Sequence, residues 1–382
     1  MRVVILTTIA NHAVYYATLA DYFNANGGAV TFLGPAPMLT TIRGLTGGGG
    51  HAFVEADEGR RVPEIIRGHR DEIGTHDAAF FDEGFGRPEH YFRALQTVSA
   101  RVLKIQTVHN VNTQLQPRYY LNWDNFRDNT FRKRSMGMMG ALLVCSPVLK
   151  EYIRAQTNYG GAVFSIPFLR PQEAPDEEPV NGRVTFAVPG GIDTKRRHYN
   201  LVLDAFVDLW RDDVPANLKF IGQAGSEESD RRIVTRCREL GAQFTDGRLR
   251  YFERRLTDAE FDAEMRSTDV ILANLEASYE MSGTRELYGR TKESGITYHM
   301  LNYAKPALVP RNLVLMPRLE RQVATYTNVA DFTAAARALT GGNGRLRERI
   351  ACARENAQYY REYFDAEFAA LAQWMTDGNG RA

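Results

Sequence analysis

The densest chemistry in the chain lies in Val188-Pro189-Gly190-Gly191-Ile192-Asp193-Thr194-Lys195-Arg196-Arg197-His198-Tyr199, where two adjacent glycines precede three consecutive cations. Glycines let a backbone turn tightly at a strand end. An ammonium beside guanidinium forks neutralises phosphate oxygens, so Gly190, Gly191, Lys195, Arg196 and Arg197 suit a diphosphate. A solvated basic helix start would use the same residues. Further along, Ser294-Gly295-Ile296 opens a helical pattern that ends in Lys305-Pro306 and a buried strand. Ser294 can cap that helix, and the free N–H groups at its start can meet an anion with no side chain in the way at Gly295.

A second set of residues could activate an acceptor. His109, in Thr107-Val108-His109-Asn110, stands at the end of a predicted strand, and imidazole suits a general base near neutral pH. A buried, satisfied histidine is the plainer alternative. His12 lies in the first strand-to-helix loop, and Asp82 and Glu83 follow Phe80-Phe81; carboxylates in such loops also serve as ordinary turn residues. The stretch from Arg118 to Arg134 mixes cations with aromatics, among them Tyr120 and Trp123. Such residues stack on sugars or rest at a membrane interface, and equally form an amphipathic helix with a buried aromatic side. The run Gly47 to Gly50 is followed by His51 and not by a lysine, so it reads as a loop and not as a phosphate-binding turn. No Asp-x-Asp triplet is present to hold a metal against a diphosphate, and no metal is expected.

Parallel α/β units must position these groups. Short apolar runs at 3–7, 29–33, 78–81, 102–107 and 141–145 alternate with helical patterns, and a second series follows at 184–188, 218–221, 270–273 and 307–309. Between the series, 170–182 is Pro-rich, acidic and without periodicity, which marks a linker. The expected division is 1–169, the linker 170–182, a second domain 183–344, and a long terminal helical pattern in 345–382. The length of 382 residues fits two domains. With 47 Lys+Arg against 46 Asp+Glu the net charge is +1, which disfavours nucleic acid as a partner. Three cysteines without Cys-x-x-Cys spacing fit neither a disulfide framework nor structural zinc, and point to a reducing cytoplasm.

Three motifs together resemble the donor domain of the large group-1 (family 4-like) GT-B glycosyltransferases. They are the strand-Pro-Gly-x-x-x-x-Lys-Arg-Arg-x-Tyr segment, Leu218-Lys219-Phe220-Ile221-Gly222, and the Ser-Gly-helix-Lys-Pro-strand series. In the first half, Thr107-Val108-His109-Asn110 resembles that family's His-containing loop, and Val144-Cys145-Ser146 with the following Leu149-Lys150 resembles its strand and helix. The resemblance implies two Rossmann-like, doubly wound domains facing a central cleft, closed by a crossing helix at the C-terminus. It implies transfer of a sugar from a nucleotide-sugar donor to a carbohydrate or lipid-linked glycan acceptor, in polysaccharide or glycoconjugate biosynthesis, with contact at the inner face of the membrane for a lipid-linked acceptor.

Lys195 and Arg196 would then stabilise the departing diphosphate, Ser294, Gly295 and Ile296 would bind it, and Tyr251-Phe252 would meet the nucleobase. Where the family carries two glutamates ahead of Lys-Pro, this chain has Thr291 and His299, leaving Glu293 or Glu286 as substitutes at the donor ribose. A nucleotide-sugar 2-epimerase and a catalytically silent sugar-nucleotide binder share the fold and stand as alternatives.

Overall fold

The structure, a computed structural model, describes residues 1–8, 12–82, 87–116, 123–168, 182–281, 283–342 and 344–377. The linker expected at 170–182 lies outside them except for Gly182. Two compact units emerge: Met1–Arg170 with Glu280–Glu293 and Glu362–Ala382, and Pro171–Tyr279 with Ser294–Arg361. This division does not follow chain order, because a short segment and the end of the last helix return to the first unit.

In the first unit the order is β1 (Arg2–Leu6), α1 (Ala13–Ala25), β2 (Ala29–Pro35), α2 (Ala36–Leu45), β3 (Ala52–Ala56), α3 (Val62–Gly68), α4 (Arg70–Ile73), β4 (Ala78–Phe81), α5 (Pro88–Leu95), β5 (Leu103–Thr107), α6 (Val111–Leu115), α7 (Trp123–Gly137), β6 (Ala141–Val144), α8 (Pro147–Gln156) and β7 (Ala162–Ser165). All seven strands are parallel, in the order β3-β2-β1-β4-β5-β6-β7. β4 and β1 from Val3 onward are continuous apolar runs because helices cover both faces of a parallel sheet, whereas the interior β5 also buries Lys104 and Gln106. Val3, Ile5, Phe32, Phe80, Ile105 and Leu143 are buried in one core with the α1 side chains Tyr15, Tyr16, Leu19 and Phe23. The helix α1 stops at Gly27, whose φ of +74° only glycine adopts cheaply. Ser146 caps α8 by accepting a hydrogen bond from the Leu149 N–H, with Pro147 at the first helical position.

The second unit contains β8 (Val184–Pro189), α9 (Tyr199–Arg211), β9 (Ala216–Ile221), α10 (Glu228–Gln243), β10 (Leu249–Tyr251), α11 (Asp258–Arg266) and β11 (Val270–Leu272). A hairpin of β12 (Ser278–Met281) and β13 (Thr284–Leu287) intervenes before α12 (Gly295–Asn302), β14 (Ala307–Pro310), β15 (Val323–Tyr326) and α13 (Val329–Thr340). The main sheet is parallel, in the order β10-β9-β8-β11-β14-β15. Phe186, Val188, Phe206, Trp210, Leu218 and Leu272 form its core with Phe332 of α13. The last helix, α14 (Arg345–Thr376), gives Tyr360 to a hydrogen bond with the Pro317 carbonyl in the second unit and Phe368, Leu371 and Met375 to the core of the first. Among the described residues no helix is long and apolar enough to cross a membrane.

A buried carboxylate explains why the returning segment belongs to the first unit. Glu286 has no exposed surface and accepts hydrogen bonds from the backbone N–H groups of Asn112 (3.3 Å) and Thr113 (2.6 Å) at the start of α6, and from the Thr291 hydroxyl (2.6 Å). Beside it the Val111 N–H donates to the Thr291 carbonyl, and the Lys292 ammonium to Asn110 Oδ1 at 2.5 Å. Anions are favoured at a helix start, where N–H groups lack intrahelical partners. Replacing Glu286 by alanine strands these donors in a dry site, so urea unfolding should show a loss of about 2–3 kcal/mol. Alanine at the exposed Glu280 should stay within about 0.5 kcal/mol.

Candidate functional site

In each sheet the strand order reverses at one point, and the loops leaving the two strands there diverge and leave a crevice at their carboxyl ends. In the first unit that point is between β1 and β4. The loop after β1 ends at His12, and Asp82 directly follows β4. His12 Nδ1 lies 2.9 Å from Asp82 Oδ1, with 14% of the histidine side chain exposed and none of the aspartate. A carboxylate oxygen only accepts, so in the neutral imidazole this bond selects the tautomer with its proton on Nδ1 and its lone pair on Nε2.

Asp82 is itself held from behind. Its N–H donates to the Leu6 carbonyl at the end of β1, and the buried Gln106 amide donates to the carbonyls of Phe81 (3.0 Å) and Asp82 (3.1 Å). The Tyr91 hydroxyl fixes the Gln106 oxygen. His109 follows β5, with its ring centroid 4.0 Å from that of His12 and edge contacts to Tyr15 and Phe168. It is 8% exposed, and its Nε2 has no hydrogen-bond partner. Burial first, then His12 and Lys292, push its pKa well below the ordinary histidine range, so it stays neutral.

The second unit repeats the arrangement between β8 and β11. The loop after β8 turns at Gly190, where φ is +88° and a Cβ would come within 3.3 Å of the Arg197 guanidinium. Arg197 donates to the Pro189 carbonyl at 2.7 Å. This loop is laced to the chain after β11, since the His198 N–H donates to the Asn274 carbonyl and the Glu276 N–H to the Arg196 carbonyl. Asn274 is fully buried, and neither end of its side-chain amide has a partner. Ser294 caps α12, its hydroxyl oxygen accepting from the Ile296 N–H at 3.2 Å, and Gly295 is exposed with open space where a Cβ would stand. His299, on the same helix, turns an unpartnered Nδ1 inward; burial and then the Arg197 charge lower its pKa to about 4.

The residues singled out in the sequence divide accordingly. His12, Asp82 and His109 are brought together. Gly190, Gly191, Arg197, Ser294, Gly295 and Ile296 lie on the β8 loop and at the start of α12. Lys195 and Arg196 hold carboxylates instead of open space: Lys195 Nζ is 2.8 Å from Glu227, which raises its pKa, and Arg196 Nε is 2.6 Å from Asp193. Tyr251 ends the edge strand β10, which β9 separates from β8, and Phe252 follows it, with the Arg250 guanidinium over its ring. Glu293 groups with the first unit, as Glu286 does. Trp123 is 73% exposed and stacks on Phe126, so neither ring fills the core. Glu83 and Tyr120 lie outside the described residues. Asn274 and Gln106 carry no sequence signal of their own; only their burial and hydrogen bonding distinguish them.

No family model matches this chain, and no curated protein matches it. Solved structures do. Sucrose-phosphate synthase of Thermosynechococcus elongatus superimposes with a TM-score of 0.66 at 12% identity, over 99% of this chain and 98% of that one. HepE of Anabaena, solved with UDP-glucose, gives 0.66 at 9% identity over 98% and 99%. A UDP-N-acetylglucosamine 2-epimerase gives 0.56 at 11% identity over 92% and 90%. The fold is GT-B. At such identities the likeness concerns the fold, and the chemistry rests on the side chains.

Those side chains allow two kinds of chemistry in the first unit. The hydrogen-bonded Asp82–His12 pair has the arrangement of a histidine base oriented by a carboxylate. His12, Asp82 and His109 also each offer a ligand atom, all within 4.8 Å of one another, in a two-histidine, one-carboxylate set of the kind that binds divalent transition metals.

Neutral buried histidines also set an acid limit on stability. The unfolded chain takes up a proton at such a position below the ordinary value of 6.5, whereas the folded chain resists until about pH 4 at His299. Stability should therefore be flat above that ordinary value and fall on acidification, His299 contributing up to about 3 kcal/mol of the loss. Denaturant titrations across this range should show the fall, and His299→Gln should flatten it.

Proposed function

We propose that the chain is a glycosyltransferase. A nucleoside-diphosphate sugar binds the second unit, and a hydroxyl of a carbohydrate acceptor binds the first, where His12 removes its proton. The observation that carries this reading is the 2.9 Å bond from His12 to the buried Asp82 at the strand-order reversal. It orients the ring, frees Nε2 as the base, and sets a carboxylate against the imidazolium that forms. His109 is unsuited to that task, because burial disfavours its cation, and it serves as a neutral neighbour in contact with the sugar.

As the acceptor oxygen bonds to the anomeric carbon, the bond from that carbon to the diphosphate breaks and negative charge grows on the leaving oxygen. Arg197 and the dipole at the start of α12 supply the positive potential there, with no side chain at Gly295 to block approach. Lys195 and Arg196 join them by exchanging their carboxylate partners for phosphate oxygens. With cations and a helix end on the diphosphate, the reaction requires no divalent metal. UDP is the first nucleotide to test, since HepE was solved with UDP-glucose. A lipid-linked acceptor would rest on the exposed Trp123–Phe126 stack, whose apolar rings suit a membrane interface.

Steady-state transfer from UDP-sugars to a glycan panel tests this reading. His12→Ala and Asp82→Asn should each lower kcat by about 10²–10⁴-fold with little change in donor KM. Arg197→Ala should raise donor KM, and activity should survive dialysis against EDTA. Unchanged turnover in His12→Ala would overturn the base assignment. Donor conversion without acceptor would replace transfer by epimerisation, and loss with EDTA would transfer the Asp82–His12–His109 set to a metal.

A further inference from the structure

A cavity of about 740 Å³ lies within the first unit, along α6, α7 and the end of α8, and plays no part in the proposed transfer. Gly140 and Gly161, which line it, immediately precede β6 and β7, so the cavity reaches the amino ends of those strands. His12, Asp82 and His109 follow the carboxyl ends of the central strands β1, β4 and β5 of the same parallel sheet, and none of them lines the cavity. The two sites are therefore distinct.

The lining has a definite chemistry. Arg132, 6% exposed and donating to the Thr113 carbonyl, and Lys133 supply two cations, and no carboxylate is among the described lining residues. Two cations with no described carboxylate among the lining residues favour an anion over a neutral ligand. Gln114 is 4% exposed, and its side-chain oxygen is buried with no hydrogen-bond partner. Buried amide oxygens are almost always satisfied, so this one marks a place for a donor that the protein does not supply. Asn158 and Gln116, whose amide N–H donates to the Tyr152 hydroxyl, are also among the lining residues. Amides offer both donors and acceptors, which is what a ring of hydroxyls requires. The volume lies within the range of small-molecule sites.

We propose that this cavity binds a small anionic sugar, a sugar phosphate or a uronic acid. The anion would meet Arg132 and Lys133, and a sugar hydroxyl would donate to Gln114. Because α6 begins directly after His109 and Asn110, occupancy would bear on the loop that carries His109.

Calorimetric titration of the full chain with glucose 6-phosphate, glucuronate and glucose tests this. Either charged sugar should bind at least about tenfold more tightly than glucose. Gln114→Leu and Lys133→Ala should each weaken that binding about tenfold or more, with an unchanged thermal midpoint. Binding should persist in His12→Ala and Arg197→Ala, so the outcome is independent of whether transfer is the correct function. Absence of binding by both charged sugars up to about 20 mM would overturn the proposal. So would equal binding of glucose, or loss of binding in Arg197→Ala but not in Gln114→Leu.

Discussion

A parallel sheet whose strand order reverses leaves two carboxyl ends with nothing between them, because the chains leaving the two strands turn to opposite sides. Both units are organised by that constraint. Between β1 and β4 it exposes His12 and Asp82 to each other; between β8 and β11 it brings the glycine turn, Arg197 and Asn274 together. The apolar strands, the capped helices and the buried core serve to hold those ends still. Tyr91 and Gln106 extend the same task inward, fixing the backbone on which Asp82 stands.

Burial then decides which groups carry charge. His109 and His299 are neutral because a cation in their surroundings is costly, and each has a nitrogen without a protein partner. Asn274 and Gln114 are unsatisfied in the same way. A folded chain tolerates few such groups, and each is a loss of stability unless a ligand completes it. His109 and Asn274 stand just beyond strand ends and Gln114 lines a cavity, places where ligands bind. Glu286 shows the converse: a fully buried carboxylate that is stable because three donors surround it.

The sequence made most interior strands legible, because strands buried on both faces are largely apolar, as at 3–7, 78–81 and 184–188. Edge strands were not. In β3 only Ala56 is buried, β10 is three residues long, and β15 pairs on one side only, so none has a continuous apolar pattern. His12, Asp82 and His109 could be chosen as strand-end residues, but their relative weight could not. His109 sits in the stronger motif, whereas the hydrogen bond that favours His12 as base joins positions far apart in the chain. The return of Glu280–Glu293 to the first unit depends on one carboxylate among many, and no pattern of residue types singles out Glu286.

In the proposed transfer the acceptor oxygen attacks the anomeric carbon directly, with His12 as base and no side chain bonded to the sugar, and such a single displacement inverts the anomeric centre. Proton NMR of the product formed from an α-linked UDP-sugar donor is therefore the most direct measurement. The Asp82–His12 account predicts a β-glycoside, seen in the larger coupling of its anomeric proton for a gluco-configured sugar. An α-glycoside would contradict it, and would leave the dyad as a sugar contact without the role of base.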